Sequence, residues 1–238
     1  MTEVGLVIVA AGRGERLGFP EEKALVALLG SPILAWSLRV FEEFHQIVDR
    51  VVVVPPGREG VFRERVVDRL GSRHNIDIVA GGESRQDSVE LGIQALSAEP
   101  HWVMVHDAAR PLVTTKLVQS VLDTLDSGEC VVPAMAPRDS LARRGYDQWI
   151  KSYENRDELL AVQTPQGFHR PVLEYAQKHA REHGHIATDE ASLVLGVNHP
   201  VSWIEGEADN LKITFPGDLP LAEAVLRSRG YSGPRMEP

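Results

Sequence analysis

A single cysteine, Cys130, stands in 238 residues, so no intrachain disulfide can staple the fold, which fits a reducing compartment. Long apolar runs are missing as well. No stretch approaches the roughly 20 apolar residues of a membrane span. The early run VGLVIVAAG has no basic residues before it and is cut short by Arg13, unlike an export signal. Positive charge is scarce: 25 Lys and Arg face 34 Asp and Glu, a net charge of -9. That balance argues against a nucleic-acid-binding surface but leaves room for an anionic ligand where a few cations converge. The expectation is a cytoplasmic protein with neither membrane nor nucleic acid as partner. Several catalytic signatures are absent too. There is no G-x-S-x-G nucleophile elbow. His179 and His183 lie four apart, yet Ala180 occupies the position where a zinc peptidase needs glutamate, so they read as solvated helix residues. His101 and His106 flank an apolar strand and read as structural.

Short apolar runs are plentiful. GLVIVAA, RVVVVPP, IDIVAGG and WVMVHDAA lack clean alternation, as expected of parallel strands covered on both faces, and CVVPAMAP continues the series. Helical patterns separate them: SPILAWSLRVFEEF, EGVFRERVVDRL, SRQDSVELGIQAL and TTKLVQSVLDTLDSG. Ser31 is expected to cap the first of these, with Pro32 at its first helical position. This alternation predicts an α/β fold, a Rossmann-like doubly wound, mostly parallel sheet, in one domain over residues 1–238. The rhythm breaks at residue 138. The polar segment RDSLARRGYDQWIKSYENRDE predicts a hairpin arm over 138–158, and PVSWIEG with NLKITFP predicts a late strand pair.

Three loops fall where strands end. In AAGRGERLG a dinucleotide fingerprint fails because Leu17 fills its third glycine position, and no lysine follows with P-loop spacing. A loop whose backbone wraps a phosphate chain remains, with Gly12 and Gly14 allowing close approach and Arg16 and Lys23 reaching phosphoryl oxygens. AGGESRQDSV adds Gly82, Glu83 and Ser88 as groups that could hydrogen-bond a base edge, and Arg85 as a phosphate ligand or a buttress. A plain N-cap at Ser84 is the simpler alternative. VMVHDAARP puts Asp107 at the end of an apolar strand, where a carboxylate needs a cation, with Arg110 three residues on. EGEADNLKIT supplies Asp209 and Lys212. Two carboxylates with phosphate oxygens and water are a common Mg²⁺ environment.

Those stretches, with TPQGF and ATDEAS, resemble in order and spacing the 2-C-methyl-D-erythritol 4-phosphate cytidylyltransferases, over about residues 5–220. The resemblance implies transfer of CMP from CTP to methylerythritol phosphate with release of pyrophosphate, a step of non-mevalonate isoprenoid synthesis. It implies that Ala10, Ala11, Gly12, Gly82, Glu83 and Ser88 surround the nucleoside. Arg16 and Lys23 would hold the triphosphate, Lys212 the α-phosphate, and Asp107 with Asp209 the Mg²⁺. Arg110 would position the acceptor. The arm would join two subunits in a homodimer, with Ser140 and Arg156 completing the neighbouring site. This chain departs from the family at EEKAL, where Lys23 follows Glu22, a carboxylate placed to screen it; at Ser140 for threonine; and at Glu83 for aspartate. A ribitol 5-phosphate cytidylyltransferase and a non-catalytic nucleotide-binding regulator are the alternatives.

Overall fold

Six nearly unbroken apolar residues, Val4–Val9, form strand β1, and five of them are buried, so both faces of the strand must be covered. In the computed structural model, which describes residues 2–12, 14–71 and 75–232, a ribbon of β2 (Ala27–Leu28) and β3 (Ser31–Pro32) leads into helix α1 (Ile33–Phe41). Strand β4 (Ile47–Val54) is followed by α2 (Glu59–Phe62) and α3 (Asp68–Leu70), joined by a π-helical turn over Arg63–Val67. Next come β5 (Asp77–Ala80), α4 (Arg85–Ala95), β6 (Trp102–Asp107), α5 (Thr115–Asp126) and β7 (Val131–Met135). A hairpin of β8 (Ala142–Arg144) and β9 (Ile150–Tyr153) follows, then β10 (Ala161–Val162) and β11 (Gln166–His169). Helices α6 (Arg170–Glu182) and α7 (Glu190–Gly196), strand β12 (Ser202–Glu205) and helix α8 (Asp218–Ser228) complete the chain.

The main sheet runs β10-β7-β11-β6-β1-β4-β5, and β12 also pairs with β7. Pairings β1–β4, β1–β6, β4–β5 and β7–β12 are parallel; β11 is antiparallel to β6 and β7, and β10 to β7. The fold is mixed α/β with a mostly parallel central sheet. Strand alternation divides the core in two. Val4, Leu6 and Ile8 face a layer with Leu34, Leu38 and Phe41 of α1 and Leu117, Val121 and Leu125 of α5. Val7, Val51 and Val53 face the other, with Val89 and Ile93 of α4 and Leu173 and Ala176 of α6.

Three elements differ from the pattern read in the sequence. Ser31 does not cap α1. It is drawn into the ribbon opposite Leu28, and Pro32 stands at the cap position without a side-chain bond. Leu29 and Gly30 both have positive φ, the geometry of a two-residue hairpin turn that the sequence LLGS does not announce. Residues 210–216 are not a strand. Their backbone is satisfied by individual partners: the Ile213 amide donates to the Ala109 carbonyl at 2.8 Å, and the Thr214 and Phe215 amides donate to Asp218 Oδ2 at 2.7 and 2.8 Å. Conversely, Gln166–His169 carries no apolar period, yet it fills the gap between β6 and β7.

Helix α4 lies tightly over β1 and β4 at Gly92, where a Cβ would fall 2.5 Å from Val7 Cγ1 and 2.8 Å from Val53 Cγ2. We expect Gly92→Val to lower the unfolding free energy by about 1–3 kcal/mol through overpacking, measured by urea denaturation; an unchanged midpoint would refute this packing.

Candidate active site

Parallel strands release their chain at one edge of the sheet, and four of them do so side by side. Residues Val9–Gly12 at the end of β1, Pro55–Pro56 after β4, Gly81–Glu83 after β5, and Asp107–Ala109 at the end of β6 line a single cleft of about 850 Å³. Such a volume suits a substantial small molecule at the place where open α/β sheets bind ligands. Gly14, Arg16 and Lys23 close one side, Ser84, Arg85 and Ser88 another, and Lys212 and Thr214 a third.

Each wall has a local cause. Ser84 caps α4 by accepting from the Asp87 amide, while Asp87 accepts from the Ser84 amide at 3.0 Å, a reciprocal capping box. Ser88, one turn in, donates its hydroxyl to the Ser84 carbonyl at 2.8 Å and accepts from the Gly82 amide at 3.2 Å, fixing the loop rather than pointing freely outward. Gly14 has φ of +69°, and a Cβ there would meet Lys23 Cβ at 2.7 Å. Its glycine therefore lets the lysine stem cross the loop. Lys23 Nζ donates to the Ile213 carbonyl at 3.0 Å. Burial lowers the Lys23 pKa, and neighbouring Lys212 lowers it further. Arg16 holds its guanidinium 6.0 Å from the Phe215 ring centre. Arg13 lies outside the described residues.

At the floor of the cleft is Asp107, 7% exposed. Arg85 Nε donates to its Oδ1 at 3.1 Å and Lys212 Nζ to its Oδ2 at 2.6 Å. Burial opposes ionisation, but Arg85 and Lys212 outweigh it and hold the carboxyl well below the usual range. Arg85 in turn gives both terminal nitrogens to Glu190, at 2.7 and 3.0 Å. Burial pushes the Glu190 carboxyl up, and Arg85 opposes that rise. Behind Asp107, Thr164 Oγ1 accepts from the Asp107 amide at 3.1 Å and donates to His106 Nδ1 at 3.0 Å. His106 Nε2 then donates to the Arg110 carbonyl at 3.2 Å.

Ala10, Ala11, Gly12, Gly14, Arg16, Lys23, Gly82, Glu83, Arg85, Ser88, Asp107 and Lys212 thus share one cleft. Arg110, Ser140, Arg156 and Asp209 are not among its lining residues. Arg110 donates instead to the carbonyls of Asn210 at 2.7 Å and Val162 at 3.4 Å. Ser140 and Arg156 are exposed on the arm. Asp209 has a side chain 61% exposed, 3.9 Å from Arg229. Glu22, beside Lys23, turns to Arg58, which donates to it at 2.5 and 3.1 Å. Glu190 and Thr164 carry no sequence-level signal of their roles, because their partners lie 105 and 57 residues away.

Among the described residues no three His, Cys, Asp or Glu side chains converge in the manner of an all-protein metal site. A divalent ion held by one carboxylate, phosphate oxygens and water fits the donor types present, with Asp107 as the carboxylate, whose oxygens the ion would share with Arg85 and Lys212. No described helix is long and apolar enough to cross a membrane.

The family model described as 2-C-methyl-D-erythritol 4-phosphate cytidylyltransferase matches residues 4–228. A protein of that name from Pelotomaculum thermopropionicum is 39% identical over 229 residues, 96% of each chain. One from Alkaliphilus oremlandii is 34% identical over 230 residues, covering 96% of this chain and 97% of the other. The crystal structure of the protein of the same name from Thermus thermophilus superposes with a TM-score of 0.78 at 34% identity, covering 95% of this chain and 100% of that one.

The buried ring of His106 yields a prediction that needs no ligand. Burial depresses its pKa to about 3, only partly opposed by Asp107. The unfolded chain therefore binds the extra proton first as pH falls through about 6.5, so the stability carried by neutral His106 is present above that pH and lost below it. Unfolding free energy is expected to drop by about 1–2 kcal/mol between pH 6.5 and 5, and His106→Gln to remove most of that slope. Denaturant titrations across this window would decide, and identical slopes in the two proteins would refute the assignment.

Proposed function

The chain belongs to the 2-C-methyl-D-erythritol 4-phosphate cytidylyltransferase family, and from that premise we propose how its cleft works. The enzyme transfers CMP from CTP to 2-C-methyl-D-erythritol 4-phosphate and releases pyrophosphate. An acceptor phosphate oxygen attacks the α-phosphorus of CTP. A new O–P bond forms as the bond to the β-phosphate's bridging oxygen breaks, and its electrons leave with pyrophosphate. Because the nucleophile is already anionic, no covalent enzyme intermediate or strong base is needed. The barrier lies in bringing two polyanions together and in the charge that develops between them.

The observation that carries this reading is the convergence of Lys23, Lys212 and Arg16 on one cleft in a chain of net charge -9. Backbone at Ala10–Gly12 and around Gly82 and Glu83 holds the nucleoside, with Ser88 keeping that loop in place. Arg16 and Lys23 hold the triphosphate and the negative charge that develops at the α-phosphorus, and Lys212 steadies the α-phosphate. Asp107 would hold Mg²⁺, and Asp209, which stands exposed outside the cleft lining, would have to turn inward to serve as a second oxygen donor; when bound, the ion would screen triphosphate charge.

The acceptor half is proposed to involve Arg110 and, from a second copy of the chain, Ser140 and Arg156. The arm supports a subunit contact: Tyr146 is 92% and Trp149 77% exposed on a two-stranded hairpin that makes a sheet of its own. Trp149→Glu is expected to convert a homodimer to monomers in sedimentation velocity; a wild-type chain that sediments as a monomer would refute the contact.

The direct test is pyrophosphate release with CTP and Mg²⁺, comparing methylerythritol 4-phosphate with ribitol 5-phosphate. Turnover with the first alone is expected, and turnover with the second alone would move the activity to polyol activation. Lys23→Ala and Lys212→Ala are each expected to lower kcat about a hundredfold, the usual cost of one preorganised electrostatic contact, with little change in melting temperature. Near-normal kcat in either would remove that lysine from the mechanism.

A further inference from the structure

Four charges of alternating sign run inward from the cleft: Lys212, Asp107, Arg85 and Glu190. The outer three line the cleft; Glu190 does not. It stands on the first turn of α7 with its side chain 1% exposed. Helix capping does not account for it. Asp189 already caps α7, accepting from the Ser192 amide at 3.0 Å. Nor does an ion pair in such a place add much net stability, because desolvation offsets most of the attraction.

What Glu190 does is occupy a fork. Both terminal nitrogens of Arg85 are committed to Glu190, so only Nε is left for Asp107, and it meets a single oxygen, Oδ1. The other oxygen, Oδ2, is thereby left for Lys212. Guanidinium and carboxylate prefer to meet through two parallel hydrogen bonds. An Arg85 released from Glu190 would turn that fork onto Asp107 and compete with Lys212 for Oδ2. We propose that Glu190 is a positioning residue for Lys212: by holding the Arg85 fork, it keeps one oxygen of Asp107 for the lysine and fixes where the ammonium stands in the cleft. The inference rests on the place given above to Lys212 in nucleotide binding.

The proposal predicts non-additivity, because Glu190 acts only through the position of Lys212. In the full chain, Glu190→Gln is expected to lower kcat about 10- to 100-fold, the range found for groups that orient metal ligands from the outer shell. In a Lys212→Ala background the same change should have little further effect. CTP affinity, measured by calorimetry with Mg²⁺ present, should follow the same pattern, and Glu190→Asp should recover part of the loss. Multiplying factors in the double variant would make Glu190 a structural residue and overturn the proposal. So would a folded Glu190→Gln protein with wild-type kcat and CTP affinity. If Glu190→Gln does not fold, Glu190→Asp enters the same cycle; failure of both to fold would assign Glu190 to the core alone and likewise overturn it. A wild-type chain that binds CTP without releasing pyrophosphate would sink the proposed reaction while leaving the calorimetric cycle to judge Glu190. A wild-type chain that binds no CTP would remove both.

Discussion

Asp107 is carried to the cleft by β6, whose Val103, Met104 and Val105 are fully buried, and a carboxylate in that setting is stable only where cations come to meet it. They come from distant parts of the chain. Arg85 belongs to the first turn of α4 and Lys212 to the irregular segment before α8. Arg85, itself half-buried, needs a second carboxylate, which α7 supplies as Glu190. The backbone amide of Asp107 is taken by Thr164, and that hydroxyl continues through His106 to Arg110. One buried charge therefore holds together the ends of several elements, and the cleft is what lies over that junction.

This dependence explains which parts were legible from sequence. Parallel strands buried on both faces leave apolar runs, so β1, β4, β5 and β6 could be read directly, and the loops at their carboxyl ends followed from sheet geometry. Residues lying beside those runs, from Ala10 to Gly14 and from Gly82 to Ser88, could be placed together for the same reason. Long-range pairing leaves no such trace. Glu190 sits in ATDEAS like any acidic residue at a helix start, and nothing local reveals that its partner is Arg85. Arg110 lies three residues from Asp107, yet its side chain turns to the Asn210 and Val162 carbonyls. The stretch LKITF has the alternation of a strand, but sheet formation needs a neighbouring edge, and its amides are taken by Ala109 and Asp218 instead. Strand β11 is the reverse case, a polar segment made into a strand by the gap between β6 and β7.

A chain with nine more negative than positive charges must also keep its own carboxylates away from the cations it gathers. The segment EEK puts two glutamates directly before Lys23. Both turn away: Glu22 pairs with Arg58 and Glu21 with Arg65. These partly exposed pairs are worth little as stabilisers. Their consequence is spatial, because each removes a carboxylate that could otherwise fold over the lysine. Arg58 lies just beyond Pro55 and Pro56, so the Glu22 contact also links the Lys23 side of the cleft to the wall that follows β4. The two carboxylates that precede Lys23 thus have their charges met elsewhere.

The positions inferred for the two substrates divide unequally between regions of the chain. Every residue proposed to hold the nucleotide except Asp209 lines one cleft, built on the buried sheet edge and braced through Asp107. The residues proposed for the acceptor do not: Ser140 and Arg156 are exposed on an arm whose two strands, among the described residues, pair with each other alone. The proposed nucleotide site is built where β1, β4, β5 and β6 end on the core sheet, with loop and helix residues closing its sides. An acceptor site completed by an arm would, on the proposed reading, take its geometry from a subunit contact, and Trp149 and Tyr153 are large exposed side chains on that arm. On the proposed reading, nucleotide binding rests on the core network, while the acceptor site draws on that network through Arg110 and on the arm through Ser140 and Arg156. On that reading, changes on the hairpin are expected to alter the acceptor site without disturbing the Lys212–Asp107–Arg85–Glu190 charge network under the nucleotide cleft.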